Sequence, residues 1–415
     1  MRIRKCRGRA LIGLFVVALI LTASFGCAGE EEITPTSTPT PTLQVKYIEM
    51  GSTAPLTGIG APLGLSLQKT VDLIIDEWNQ AGGIVIGGTR YLIDMKWYDD
   101  MYNPVQGRTN VEKLINEDNV DYIVGLFGHS LATSLQIINE NEILTTTTST
   151  GGTDIISPEI PWTFKTTQGF EVVGVPALRW IMGNQSVSKF AAIGLDTKSF
   201  RGIGYYLEDA AEFLNAEAWV EYYPAGTTDF YPILNKILPK EPDYFIAMDP
   251  SQIRQLDELG YKGKIGGIMA PVDVNTLIGA LGAERMEGYL TAVVPNPDAN
   301  AETKAFRDKY VAKYGSWDAN ALYWNGCIEA IIQGIEKAQS VEAADVRAAL
   351  DQMAEDGEAI KLPQGDAYWR GASRFGGLAR QLSIPIHICE VKSGAWKVIA
   401  TLPAPTDSDL LPPRS

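Results

Sequence analysis

From residue 45 onward the chain alternates short apolar segments with segments whose apolar residues recur at helical spacing. This pattern predicts strands at 45–50, 91–98, 121–125 and 143–147, and helices near 65–78, 104–117 and 131–141. Strand–helix–strand units of this length favour a parallel sheet with right-handed crossovers.

The alternation restarts after an extended passage at 162–166. The later strands are predicted at 188–195, 217–223, 243–248 and 264–268, with helices between them. A second extended passage at 288–294 precedes helices near 300–313, 319–337 and 343–351, and strand-like segments follow at 384–390 and 396–401. The sequence therefore predicts an α/β fold with two doubly wound parallel-sheet lobes joined by a multi-crossing hinge. We expect an N-terminal lobe of 44–165 plus 295–355, a C-terminal lobe of 166–294 plus 356–403, and a tail of 404–415.

Such a fold places its binding site at the carboxyl ends of the parallel strands, where loops meet helix N-termini. Two sheets joined by several chain crossings form a cleft that can close by hinge motion. This geometry suits a protein that encloses one small ligand.

Residues 1–26 have the layout of a secretory signal: a cationic start, an apolar run from Ala10 to Leu21 and small residues before Cys27. The segment resembles a lipoprotein signal, in which a lipid is attached to Cys27 after cleavage. A plain signal peptide cleaved near Ala23 or Ala28 is the alternative. Residues 27–43 are rich in Thr and Pro and are predicted to form a disordered tether.

The 415 residues carry a formal charge of −15, which argues against nucleic-acid binding and against broad adhesion to anionic lipid. The glycines between Gly58 and Gly64 are spaced wrongly for a dinucleotide site, and a tight turn is favoured there. The chain has two histidines and no CxxC, HExxH or GxSxG motif, so we expect no metal, cofactor or enzymatic activity.

Four cysteines are present, and Cys6 lies in the predicted signal. If Cys27 carries the lipid, Cys327 and Cys389 remain. They could pair outside the cytosol, but each lies in an apolar segment, which favours two buried free thiols.

Polar residues follow several of the predicted strands. His129 and Ser130 lie after the third strand at the mouth of a helix, and a hydroxyl-rich loop at 147–153 follows the fourth. Hydroxyls and backbone amides at a helix N-terminus suit a carboxylate or another anion. Asp99 and Asp100 end the second strand, where a loop-ordering role is favoured over acid–base work.

Four segments together resemble the leucine/isoleucine/valine-binding protein family, which has the type I periplasmic-binding fold and feeds ABC importers. They are Ala54-Pro55-Leu56-Thr57-Gly58, the run Ile75 to Ile84 followed by Tyr98-Asp99-Asp100, Val124 to Ser130, and Cys389 to Val398.

The resemblance implies that loops after the third and fourth strands hold the solute, at positions matching His129 or Ser130 and Ser149, Thr150 and Gly151. It also implies that Phe200 covers the solute and that Asp273 lies near the position that pairs with an ammonium group.

The resemblance implies a membrane-anchored extracytoplasmic protein that closes on a small polar solute, most simply a branched-chain type amino acid or a related amide or carboxylate. It would deliver this solute to an ABC permease and meet the membrane through its lipid only. A ligand-sensing receptor with the same fold that signals to a partner is the alternative.

Overall fold

A computed structural model describes residues 43–149, 155–196, 198–224, 226–268, 274–292, 296–318 and 320–411. Four predicted site residues, Cys27, Thr150, Gly151 and Asp273, lie outside these ranges.

Within the described residues, nine strands form a first sheet in the order β12-β13-β14-β6-β5-β4-β1-β3-β2. Strands β1, β3, β4, β5 and β6 pair in parallel, whereas β2, β12 and β13 add antiparallel edges. The strands are β1 (Gln44–Ala54), β2 (Ile84–Ile86), β3 (Thr89–Asp99), β4 (Tyr122–Leu126), β5 (Leu144–Thr147), β6 (Thr163–Lys165), β12 (Ile360–Leu362), β13 (Gly365–Arg370) and β14 (Gln381–Ser383).

Seven described strands form a second sheet in the order β16-β15-β11-β10-β9-β7-β8. Strands β7 to β11 pair in parallel, and the β15–β16 hairpin adds two antiparallel strands. The strands are β7 (Lys189–Leu195), β8 (Glu217–Tyr223), β9 (Tyr244–Ile246), β10 (Lys264–Ile268), β11 (Leu290–Ala292), β15 (Ile386–Lys392) and β16 (Ala395–Leu402).

The helices divide between the two sheets. Helices α1–α3 and α10–α13 share a core with the first sheet, and α4–α9 pack on the second. They are α1 (Ala61–Gln80), α2 (Pro104–Asn116), α3 (Gly128–Glu140), α4 (Phe170–Gln185), α5 (Lys198–Phe213), α6 (Tyr231–Ile237), α7 (Pro250–Glu258), α8 (Val274–Leu281), α9 (Ala283–Met286), α10 (Ala301–Tyr314), α11 (Ala321–Trp324), α12 (Gly326–Ala338) and α13 (Ala343–Asp356).

The second sheet is covered by apolar residues on both faces. Phe190 and Tyr244 belong to one core, whereas their chain neighbours Ala191 and Phe245 belong to another. Because successive strand residues point to opposite faces, this alternation means that helices cover both sides. The predicted doubly wound α/β fold is confirmed, with mixed edges added to the parallel sheets.

The predicted division of the chain needs one correction. Strands β12, β13 and β14 lie between 360 and 383 and belong to the first sheet, although residues 356–403 were predicted to belong wholly to the second lobe. These short strands pair antiparallel with one another at a sheet edge, and a strand–helix alternation does not predict such an edge.

The final segment runs back from the second sheet to the first. The carbonyl of Pro405 accepts a hydrogen bond of 2.8 Å from the Ser383 hydroxyl, and Asp407 accepts one of 2.7 Å from the Gly371 amide. Leu410 and Leu411 are buried in a core of the second sheet. The segment 403–411 therefore contacts both halves of the molecule.

Across the described ranges, every helix is too short or too polar to cross a membrane.

A candidate solute-binding site

The carboxyl ends of β1, β3, β4 and β5 lie side by side in the first sheet. The loops that follow these strands contain most of the residues predicted to bind a solute. Parallel sheets place ligand sites at this edge.

Asp99 ties the loop after β1 to the loop after β3. Its Oδ1 accepts hydrogen bonds from the amides of Leu56 at 2.8 Å and Met101 at 2.9 Å, and its Oδ2 accepts one from the Thr57 hydroxyl. Burial alone would raise the pKa of Asp99, but these hydrogen bonds lower it below its ordinary value. Asp99 therefore acts as an ionised clamp that fixes two loops.

Asp100 ties the loop after β3 to the start of α3. Its side chain is fully buried, and Oδ2 lies 2.8 Å from the Ser130 hydroxyl and 3.1 Å from Nε2 of His129. Oδ1 accepts a hydrogen bond of 2.9 Å from the Tyr102 amide. Ser130 is itself fully buried. Ser130 therefore supports the loops from beneath. The His129 side chain is 17% exposed to solvent.

The loop between these aspartates and α2 has an unusual backbone. Met101 and Tyr102 have φ values of 53° and 59°, a left-handed backbone conformation that residues other than glycine rarely adopt. Both side chains are exposed. The Tyr102 ring lies against the His129 ring, with 4.5 Å between centroids. Backbone strain of this kind persists where surrounding bonds impose it, commonly at functional sites.

The hydroxyl-rich segment predicted from the sequence begins inside β5. The Thr147 hydroxyl donates to the carbonyl of Leu126 at 2.6 Å and accepts from the Ser149 amide at 3.1 Å. Ser149 lies close to Gly128, because a Cβ on that glycine would approach Ser149 Oγ to 2.9 Å. The buried Thr148 hydroxyl has no partner among the described residues. The start of the loop after β5 therefore lies against the start of α3, which follows β4.

The second sheet presents a different set of residues at its carboxyl edge. Phe200 lies in the first turn of α5 and is 38% exposed. Arg201 forms an ion pair of 2.6 Å with Asp196 and lies 4.6 Å from the Tyr222 ring centroid. The Arg201 guanidinium lowers the pKa of Asp196. Asp249 caps α7 by accepting hydrogen bonds from two backbone amides.

Buried polar contacts join the chain crossings between the sheets. Lys165, at the end of β6, pairs with Glu171 at the start of α4. The side-chain amide of Gln168 donates a hydrogen bond to the backbone carbonyl of Ile384 on another crossing. The backbone carbonyl of Gln168 accepts a hydrogen bond of 2.8 Å from the Tyr323 hydroxyl. The crossings are therefore linked to one another and to α11.

The two cysteines of the body belong to different sheets and form no disulfide. Cys327 is buried in α12, which packs on the first sheet, and Cys389 is buried in β15 of the second sheet. Burial raises the pKa of each thiol to about 12, which makes them poor nucleophiles. In the described part of the chain no group of three or more His, Cys, Asp or Glu side chains is placed to hold a metal ion.

The profile of the periplasmic binding protein family matches residues 47–394, which is most of the chain. The chain belongs to this family. The predicted resemblance is confirmed by a curated relative, Leu/Ile/Val-binding protein homolog 1 of Brucella abortus, which is 26% identical over 73% of this chain and 82% of its own length.

Solved structures share the fold of this periplasmic binding protein. A leucine-binding protein, LivK, from Thermotoga maritima has a TM-score of 0.68 at 16% identity, covering 88% of this chain and 100% of its own. A solute-binding protein of an ABC transporter from Rhodopseudomonas palustris HaA2, in complex with p-hydroxybenzoic acid, has a TM-score of 0.71 at 18% identity, covering 87% of this chain and 98% of its own.

His129, Ser130 and Ser149 lie at the carboxyl edge of the first sheet, where the sequence placed them, and the sequence did not single out Tyr102. It also did not connect Asp100 to His129, because these residues are 29 positions apart. The sequence did hold a signal for this contact. Asp100 and His129 each follow a strand of the same parallel sheet, and the carboxyl ends of such strands lie along one edge.

Proposed function

We propose that this periplasmic binding protein is the extracytoplasmic solute-binding component of an ABC importer and carries out no chemical step. It closes its two lobes on a small polar solute, an amino acid of the branched-chain type or a related amide or carboxylate. The observation that carries the proposal is the pre-assembled edge of the first sheet, where Asp99 and Asp100 bind three loops together. A fixed half-site lowers the entropic cost of binding.

In this proposal the first lobe holds the solute's charged or amide end. His129, Ser149, Thr150 and Gly151 contact it, and Ser130 holds Asp100 from below. Backbone amides and hydroxyls suit a carboxylate, because each lost water contact is replaced by a hydrogen bond in a dry cleft.

The second lobe completes the site when the cleft closes. Phe200 covers the solute, and Asp273 is the candidate partner for a positively charged group. The crossings near Lys165 and Ile384 are the positions about which the lobes rotate.

The N-terminal segment anchors the protein. We propose that a lipid on Cys27 holds it at the outer face of a membrane and that 27–43 act as a tether, so that the closed form can reach its permease. Mass spectrometry of the mature N-terminus tests the anchor, because a protein that begins after Cys27 or carries no acyl mass contradicts it.

The binding function is tested by calorimetry with amino acids, amides and small carboxylates, combined with small-angle scattering to detect closure. Ser149→Ala and Thr150→Ala are expected to weaken binding about tenfold each, the cost of one or two lost hydrogen bonds. Thr401→Ala, at an exposed residue of β16, is the matched control. Unchanged affinity in both site variants would place the site elsewhere.

A further inference from the structure

We propose that Tyr102 and His129, with Asp100 behind them, select an aromatic carboxylate, a flat solute that carries no ammonium group. This inference rests on the proposed function, since it names the class of solute that the same cleft encloses. Three observations support it, namely the orientation of His129, the presentation of Tyr102 and the bonds made by nearby aspartates.

The first observation concerns His129. Its Nε2 faces the buried carboxylate of Asp100 at 3.1 Å, so this nitrogen carries a hydrogen. The other ring nitrogen, Nδ1, has no hydrogen-bond partner among the described residues. A solute carboxylate bound at Nδ1 would give the ring one carboxylate at each of its two nitrogens. Asp100 is thus a positioning residue that fixes the orientation of the ring.

The second observation concerns Tyr102. Its side chain is 50% exposed, although it packs on two neighbours. One neighbour is the His129 ring, and the other is Gly60, where a Cβ would approach Tyr102 Cδ2 to 2.8 Å. The hydrogen bond that the Tyr102 amide donates to Asp100 Oδ1 holds the left-handed backbone, and this backbone presents the Tyr102 ring. A fixed aromatic surface beside a polar ring suits a flat solute, which can stack on it.

The third observation concerns the carboxylates that could pair with an ammonium group. The aspartates at the carboxyl ends of the described parallel strands all accept hydrogen bonds or pair with an arginine within the protein; they are Asp99, Asp100, Asp196, Asp229 and Asp249. An α-ammonium buried without a counterion is strongly unfavourable. Asp154 and Asp273 lie outside the described residues, so they enter the test as variants.

The test uses isothermal calorimetry on the full mature chain with benzoate, cyclohexanecarboxylate, phenylalanine and leucine. Cyclohexanecarboxylate keeps the carboxylate but is not flat, and phenylalanine keeps the aromatic ring but adds an ammonium. We expect benzoate to bind at least tenfold more tightly than each of the other three.

The variants separate recognition from structural damage. Tyr102→Leu is expected to weaken benzoate about tenfold and to remove the preference over cyclohexanecarboxylate, whereas Tyr102→Phe keeps both. Tyr47→Leu, at an exposed tyrosine near the start of β1, is the matched control. His129→Gln and Asp100→Asn are expected to reduce the ratio of benzoate to leucine affinity, a ratio that general destabilisation would leave unchanged.

The outcomes distinguish the two proposals. Tight binding of leucine or phenylalanine, lost in Asp273→Asn or Asp154→Asn, overturns the aromatic-carboxylate inference and leaves the solute-binding function in place. Benzoate selectivity that survives Tyr102→Leu also overturns it. Absence of binding and closure with every solute, including the amino-acid and amide panel, overturns both proposals.

Discussion

The Lys165–Glu171 ion pair gives the sharpest test of how the crossings are held. The two side chains are only 1% and 4% exposed, and Oε2 of Glu171 has no hydrogen-bond partner among the described residues. Lys165→Met would remove the cation and leave a buried carboxylate without its counterion. Breaking a buried pair in this way costs about 3–5 kcal/mol of the free energy of unfolding, because the remaining charge stays desolvated.

Replacing both residues should behave differently. The double variant that carries both Lys165→Met and Glu171→Met has no charged group left to bury at this position. Its free energy of unfolding should therefore return to within about 1–2 kcal/mol of the native value. Urea unfolding followed by tryptophan fluorescence measures these differences. Lys304→Met is the matched control, since Lys304 pairs with Asp308 on the exposed surface of α10, where such pairs contribute less than about 1 kcal/mol.

The reasoning fails if Lys165→Met is no more destabilising than Lys304→Met. It also fails if the double variant is as unstable as the single one, because the cost would then come from lost packing around the crossing and not from the unpaired carboxylate.

Three further predictions concern other parts of the molecule. Burial raises the pKa of Glu329 to about 7, against an opposing hydrogen bond from Gln333; the folded state then holds its proton more tightly than the unfolded state, so stability falls by up to about 3 kcal/mol as pH rises from 4.5 to 7. Thermal unfolding against pH should show this loss, and Glu329→Gln should reduce it. Leu411→Ala should lower the free energy of unfolding by about 2–4 kcal/mol, because the side chain is buried in the second core; an effect below 1 kcal/mol in urea unfolding would mean that 403–411 are not firmly docked. Gly107→Ala should weaken solute binding, since a Cβ there would collide with Ser130 Oγ and disturb its bond to Asp100, whereas Gly183→Ala, with open space around it, should not.

The candidate site shows why some residues could be predicted and others could not. His129 and Ser149 follow neighbouring parallel strands, so strand periodicity alone brings them to one edge. The clamp made by Asp99 was predicted in kind, as a loop-ordering role, but its partners Leu56 and Thr57 were not. Which loop a carboxylate reaches depends on the packing of β1 against β3, which local sequence does not specify.

The antiparallel edge of the first sheet was missed for a related reason. Strands β12 and β14 have only three residues each, too few for their periodicity to be distinguished from a loop. Their membership of the first sheet is decided by pairing with β6 and β13. Similarly, Cys327 and Cys389 form no disulfide because they are buried in elements of different sheets, whereas the sequence left a disulfide open.

The alternation of the parallel strands with helices, the two sheets and the edge at which we propose that a solute binds were determined by the sequence itself, because apolar periodicity and strand–helix alternation act over a few neighbouring residues. The contact of Asp100 with His129, the presentation of Tyr102 and the Lys165–Glu171 pair were decided only by the tertiary structure. These contacts join different loops or chain crossings, and their energies depend on burial and on atomic distances that exist only after the sheets have packed.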